Sequence, residues 1–143
     1  MAMDGAILAL DVGTVRIGVA ICEGARLPAL PLTTIPHTNR TTDIARIVDL
    51  ARERAARTIV VGYPVRLDGS HGTAAEKMDR FIAALRGSFA GDVVAVDERL
   101  TTAAAQRKLL ATGLSGRKRR TIVDRYAAVE ILESYRFSIS RGS

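Results

Sequence analysis

Three apolar runs open the chain, and each is short enough to form a single strand. They cover residues 6–12, about 16–22 and about 27–35. Only the segment GTV (13–15) separates the first run from the second, and the glycine of CEGAR (22–26) follows the second run. Glycine-containing segments of this length are typical of tight turns between antiparallel strands. The first part of the chain therefore predicts an antiparallel three-stranded unit.

The spacing of apolar residues then changes. They recur at intervals of three and four positions, as on one face of a helix. The predicted elements that follow are a helix over about 41–56, a strand over 58–62, a helix over about 73–89, a strand over 92–98, a helix over 101–113 and a last helix over 121–137. Right-handed crossovers between such units should place strand 58–62 parallel to strand 6–12 and beside it. The predicted fold class is α/β, a mixed five-stranded sheet of three antiparallel strands and then parallel strands, with helices on both faces. We expect one domain over residues 1–137 and a frayed tail over 138–143.

Acidic side chains fall at the ends of two strands that should point the same way. Asp11 ends the first strand, Asp97 and Glu98 end the fifth, and Asp124 lies in the first turn of the predicted last helix. Ligands of open α/β sheets collect at the carboxyl ends of the parallel strands, so we expect Asp11, Glu98 and Asp124 to converge there. Gly62 ends the strand between them and places no side chain in the way.

Three convergent carboxylates form a donor set for hard divalent cations, and a pair of such ions can activate water and stabilise the leaving oxygen of a phosphodiester. The same residues also admit structural roles. Thr121 and Asp124 fit a capping box of the last helix, and the Asp97-Glu98 pair fits a solvated strand end. Asp11 has the weakest structural alternative, because a carboxylate after an apolar strand is costly to desolvate without a positive partner.

The charge of the chain is unevenly distributed. Its formal net charge is +6, yet residues 1–98 hold 11 Lys/Arg against 12 Asp/Glu, and residues 99–143 hold 10 against 3. The segment GRKRR lies at the centre of this excess and contributes Arg117, Lys118, Arg119 and Arg120. Such a patch favours binding of a polyanion, most often nucleic acid. A solvated loop that aids solubility explains the same charge.

The remaining composition excludes several other classes of protein. A hydrophobic fraction of 48% and a charged fraction of 25% are those of an ordinary soluble globular protein. The single cysteine, Cys22, excludes an internal disulfide framework, and the separated His37 and His71 have no cysteine cluster for a structural zinc site. The first apolar run is too short for a signal peptide or a membrane span, so we expect a cytoplasmic protein that does not bind membranes.

Four ordered motifs resemble those of the YqgF family. They are LALDVGTVRIGVAI, IVVGYPVRLDGSHG, VVAVDERLTTAAA and IVDRYAAVEILESY, and together they span roughly residues 6–137. Members of this family are RNase H-like proteins described as Holliday-junction-resolvase-like and as nucleases of pre-16S rRNA. The resemblance implies an RNase H-like fold and a hydrolase, a metal-dependent endonuclease that acts in rRNA processing and ribosome biogenesis.

The resemblance also implies roles for individual residues. Asp11, Glu98 and Asp124 match the family's catalytic carboxylates and would hold Mg²⁺ or Mn²⁺, in a two-ion site. Arg16 and Arg99 match basic positions of the same motifs, where they would hold a phosphate or form a structural salt bridge. The chain departs from the family pattern at Val15, Tyr63 and His71. These departures affect the expected substrate contacts and leave all the proposed metal ligands in place.

Three alternatives stay open at the level of the sequence. The substrate can be structured RNA, with pre-16S rRNA as first choice, or branched DNA, as for a Holliday-junction resolvase. The protein can also be a non-catalytic nucleic-acid-binding module in transcription or ribosome assembly. The Asp-x-Gly-Thr motif after a strand further resembles the first phosphate loop of the sugar-kinase, actin and Hsp70 superfamily, but the chain lacks the second such loop. Both a monomer and a homodimer are compatible with the sequence.

Overall fold

A five-stranded sheet forms the centre of the molecule. The computed structural model describes residues 5–24, 27–64, 72–97 and 116–142, with 116–125 and 140–142 described by their backbone. The strands are β1 (Ala6–Val12), β2 (Arg16–Cys22), β3 (Leu30–Pro36), β4 (Ala56–Tyr63) and β5 (Asp92–Asp97). Their order across the sheet is β3-β2-β1-β4-β5, with β3, β2 and β1 antiparallel and β1, β4 and β5 parallel. The predicted mixed sheet, with strand 58–62 beside strand 6–12, is confirmed.

Helices cover both faces of this sheet. They are α1 (Arg40–Glu53), α2 (Thr73–Ser88) and α3 (Gly116–Gly142). Alternate residues of β1 serve two separate cores, because successive side chains of a strand point to opposite faces. Leu8 and Leu10 pack in the cluster under α1 and α2. Ile7 and Ala9 pack in the cluster under α3.

Helix α1 forms where the apolar spacing predicts it and begins at a sequence-encoded cap. Asn39 has extended backbone dihedrals, and its side-chain oxygen accepts a 2.9 Å hydrogen bond from the N–H of Thr42. Such a cap satisfies one of the amide groups left without a partner at a helix start. The predicted apolar positions, Ile44, Ile47, Val48 and Ala51, are all buried in the cluster under α1 and α2. The cap and the apolar stripe together fix the entry of α1 beside the end of β3.

Helix α3 is longer than the sequence pattern predicts. The basic segment 116–120, expected as a loop, forms its first residues, and the helix continues past 137 to Gly142, through the expected frayed tail. The prediction of a loop was wrong because it was drawn from charge and glycine content, whereas arginine and lysine are good helix formers that need no apolar face. One further consequence concerns Asp124. It lies inside the helix and not in its first turn, so a capping box at helix entry does not explain it.

Strand β3 also differs from its prediction, since it begins at Leu30 rather than near residue 27. The N–H of Leu27 instead donates to the carbonyl of Gly24 at 3.1 Å, within a turn, and Pro28 has no N–H to give to a ladder. The predicted helix over 101–113 lies outside the described residues. None of the described helices is long and apolar enough to cross a membrane.

Candidate active site

A cleft of about 910 Å³ opens at the carboxyl ends of the central strands, and Asp11 is part of its lining. Asp11 is the second-last residue of β1 and only 3% exposed. The register pairs Leu10 with Val61, so Gly62 of β4 comes next to Asp11 along the neighbouring strand and also lines the cleft. A buried carboxylate thus reaches an open cleft at the sheet edge that the sequence predicts.

The cleft lies across the edge of the sheet rather than on one face. Asp11 alternates with Ile7 and Ala9, so it belongs to the face that α3 covers. Met78 and Phe81 of α2 also line the cleft, and they belong to the opposite core. A substrate in this cleft would therefore meet residues from both sides of the sheet.

The turn between β1 and β2 forms one wall of the cleft. The N–H of Gly13 donates to the carbonyl of Arg16 at 2.9 Å and closes the turn. A Cβ atom at Gly13 would lie 2.8 Å from that same carbonyl oxygen, so a side chain does not fit without movement of the backbone. Thr14, Val15 and Arg16 follow along the cleft wall, and the role of Arg16, a phosphate contact or a structural salt bridge, stays a prediction.

A buried aspartate holds a histidine at the rim of the cleft. His37 lines the cleft, and its Nδ1 lies 2.5 Å from Oδ2 of Asp43, which is fully buried. The other carboxylate oxygen of Asp43 accepts hydrogen bonds from the N–H and the hydroxyl of Thr38 at 3.1 and 3.0 Å. Burial by itself raises the pKa of Asp43, but the bonds from Thr38 and His37 and the charge of His37 outweigh it and hold that pKa below its usual value. Asp43 is therefore an ionised acceptor that fixes the segment between β3 and α1.

Three cations that the sequence reasoning did not single out line the cleft together with Arg16. Arg40 begins α1, and Lys77 and Arg80 lie on α2, and all three are exposed and line the cleft. The available signal was their spacing, because Lys77 and Arg80 flank the apolar stripe of Met78 and Phe81 on α2. The cleft thus combines a buried carboxylate with several cationic side chains.

The structure describes only some of the other residues proposed at the metal site. Asp97 ends β5 opposite Tyr63, and Glu98 lies outside the described residues. Because Val96 packs against the cluster under α3, alternation places Asp97 on the face opposite to that of Asp11. In the part of the chain that the structure describes, no three His, Cys, Asp or Glu side chains come together as a metal site. Convergence of Asp11 with Glu98 and Asp124 stays a prediction.

Position 124 lies, by its helical backbone, on the face of α3 that packs on the sheet. It precedes Ala128 by four residues and Ile131 by seven, and both pack on the sheet. Residues at these spacings share one side of a helix. The basic residues predicted to contact nucleic acid at the start of α3, Arg117, Lys118, Arg119 and Arg120, are placed by their helical backbone. Arg99 lies outside the described residues.

Solved structures with the same arrangement of strands and helices define the class of fold. T. thermophilus RuvC in complex with a Holliday junction substrate matches with a TM-score of 0.60 at 12% identity, covering 92% of this chain and 94% of that chain. The fowlpox virus Holliday junction resolvase matches with a TM-score of 0.55 at 16% identity, covering 93% and 99%. The fold is therefore RNase H-like, of the RuvC type.

Sequence comparison identifies the family within that class. Residues 5–136 match the model of the RuvX family, described as "Holliday junction resolvase". A protein of Syntrophus aciditrophicus is 44% identical over 94% of this chain and 90% of its own length, and one of Halalkalibacterium halodurans is 40% identical over 90% and 93%. Both carry the name "Putative pre-16S rRNA nuclease". The chain belongs to the RuvX family, a nuclease family, which confirms the resemblance to YqgF proteins.

Proposed function

We propose that this protein is a metal-dependent endonuclease that hydrolyses phosphodiester bonds in the 5′-end processing of pre-16S rRNA. The observation that carries the proposal is Asp11, a nearly buried carboxylate that lines a cleft together with cationic side chains. A carboxylate at such a position is costly unless it meets positive charge, and the cleft gives access to a cation and a phosphate together. The names of the relatives supply the choice of RNA.

The residues present fit a divalent ion. The proposed ligands Asp11, Glu98 and Asp124 offer only carboxylate oxygens, which are the donors that Mg²⁺ and Mn²⁺ prefer. Asp11 and position 124 belong to the same side of the sheet, and Gly62 leaves space between the ends of β1 and β5. Asp97 belongs to the other side, which favours Glu98 as the ligand from that strand end. When bound, a pair of such ions would activate a water molecule and stabilise the departing oxygen.

The residues of the chain itself bind and orient the polymer. Arg16, on the wall formed by the β1–β2 turn, donates to a phosphate next to the one that is cut. Arg99 and the basic segment at the start of α3 add phosphate contacts that are independent of sequence, so affinity should fall with salt. With three Phe, three Tyr and no Trp, the chain offers little for stacking single-stranded bases, which favours structured RNA. We treat residues 1–137 as one nuclease domain that acts in the cytoplasm.

A matched pair of aspartate variants tests this function. Wild-type protein, Asp11→Asn and Asp49→Asn are incubated with a labelled 16S precursor leader RNA in Mg²⁺ or Mn²⁺ and with chelator. Asp49 is the control, because its side chain is 75% exposed on α1 and away from the cleft. We expect metal-dependent cutting by wild type and Asp49→Asn, and a loss on the order of 100-fold or more with Asp11→Asn. Equal cutting by all three proteins would contradict the assignment of Asp11.

A labelled four-way DNA junction in the same assay tests the second candidate, a Holliday-junction resolvase. The description of the RuvX family favours it directly. Preferential cutting of the junction in symmetry-related strands would assign this activity in place of rRNA processing. Tight binding of either substrate without cutting by the wild type would instead assign a nucleic-acid-binding module.

A further inference from the structure

The cleft wall formed by α1 and α2 carries charge that the described residues do not neutralise. Arg40, Lys77 and Arg80 are exposed, line the cleft, and form no ion pair with any residue of the described part. Elsewhere on α1, by contrast, Arg52 has Asp49 within 3.7 Å. Cations left without partners in a cleft raise the local concentration of anions.

The acidic residues of α2 are directed elsewhere. Asp79 accepts a 2.7 Å hydrogen bond from the hydroxyl of Tyr63, and neither Asp79 nor Glu76 lines the cleft. Among the described lining residues, Asp11 is the single carboxylate against the three cations of this wall and Arg16. The helix therefore presents Lys77 and Arg80 to the cleft and keeps its acidic residues outside it, while its third cation, Arg86, donates to the carbonyl of Val93.

The position of Arg40 costs stability rather than adding to it. Arg40 is the first residue of α1, and the partial positive charge of a helix N-terminus disfavours a cation there. The cap is made by Asn39, so Arg40 is not needed to satisfy the helix start. A residue that is unfavourable for its own helix and exposed in a cleft indicates a role in binding.

We propose that Arg40, Lys77 and Arg80 form a phosphate-binding wall, which holds the backbone of the nucleic-acid substrate on the α1 and α2 side of the cleft. Lys77 and Arg80 are three residues apart on one helix, about 5–6 Å between Cβ atoms, so they can contact neighbouring phosphates. The strand would run along this wall and bring one phosphate to Asp11. This inference rests on the proposed function and adds the path of the substrate.

Salt-dependent binding tests the wall. The triple variant Arg40→Gln/Lys77→Gln/Arg80→Gln is made in the Asp11→Asn background, so that the probe stays intact, and Arg46→Gln in the same background is the control. Arg46 is an exposed arginine of α1 that does not line the cleft. The probes are the leader RNA and the four-way DNA junction. We expect the slope of log affinity against log salt to become shallower by about 0.7–0.9 for each phosphate that the variant no longer neutralises, or by about 2–3 in total.

A second measurement separates binding from a structural role. Arg40→Glu should keep or raise the melting temperature of the protein, because an anion suits a helix N-terminus, while its affinity for the probe falls. A residue that merely supported the fold would lower both. Loss of affinity with either probe supports the wall and identifies the polymer that it holds.

Two outcomes would overturn the inference, and they are distinguishable. If wild-type protein cuts its substrate but the triple variant keeps the slope of Arg46→Gln, the wall does not bind phosphate and the nuclease function stands. If wild-type protein neither binds nor cuts either probe, the proposed function fails and the wall fails with it.

Discussion

Replacing Asp43 by alanine should destabilise the protein strongly, although Asp43 is not a proposed catalytic residue. Its carboxylate is fully buried and accepts three hydrogen bonds, two from Thr38 and one from His37. Hydrogen bonds to a charged group contribute roughly 1.5–3 kcal/mol each. In the variant, however, Thr38 and His37 are exposed enough to form hydrogen bonds to water instead. We therefore expect Asp43→Ala to lower the free energy of unfolding by about 3 kcal/mol at neutral pH.

The same contribution should disappear in acid. The pKa of Asp43 is lower in the folded protein than its usual value of about 3.9 in an unfolded chain. A group with a lowered folded pKa stabilises the protein above its unfolded pKa, and that stabilisation is lost as the pH falls through the folded pKa. The difference between wild type and Asp43→Ala should thus be largest above about pH 5 and should shrink as the pH falls below about 4.

Urea unfolding, followed by circular dichroism at pH 7 and at pH 3, measures both effects. Asp49→Asn is the matched control, because Asp49 lies on the same helix with a 75% exposed side chain and a single long contact to Arg52. We expect the control to change the free energy of unfolding by less than about 0.5 kcal/mol at either pH. A similar small change for Asp43→Ala at pH 7, or a difference that grows in acid, would refute the reasoning.

Three further substitutions test other parts of the structure. Gly13→Ala should lower stability by about 1–3 kcal/mol and reduce cleavage, because its Cβ would lie 2.8 Å from a backbone oxygen. Gly87→Ala is the control and should do neither, because a Cβ at that position meets nothing within 4 Å. Equal unfolding midpoints for the two variants would contradict this reasoning. Ala55→Gly should raise the free energy of unfolding by about 0.5–1 kcal/mol, since Ala55 has a φ of 55° just after α1. A lower midpoint temperature of thermal unfolding in this variant would argue against strain at Ala55. Asp79→Asn should lower the pKa of Tyr63, which the hydrogen bond to the Asp79 carboxylate raises, and an unchanged alkaline absorbance titration would exclude that cause.

The sequence predicts the sheet and the position of Asp11 at its edge well, because both depend on local patterns. A short continuous apolar run marks β1 and β2, and a carboxylate directly after such a run is conspicuous. The position of Asp43 could not be predicted, because its burial depends on how Thr38 and His37 fold back from the end of β3. The cleft cations were missed for a related reason, since an exposed Lys77 or Arg80 looks the same in sequence whether it faces a cleft or bulk water.

The position of Cys22 gives this molecule an internal reporter of opening. Cys22 is the single cysteine of the chain, is fully buried, and packs in the cluster that α3 covers. Its Sγ lies 3.1 and 3.5 Å from the carbonyl oxygens of Gly24 and Leu27, so Cys22 becomes reactive when this turn or α3 moves away, or when the protein unfolds. The rate of thiol labelling therefore reports opening on the α3 side of the sheet. A nucleic acid that bridges Asp11 and α3 should slow this labelling before any bond is cut.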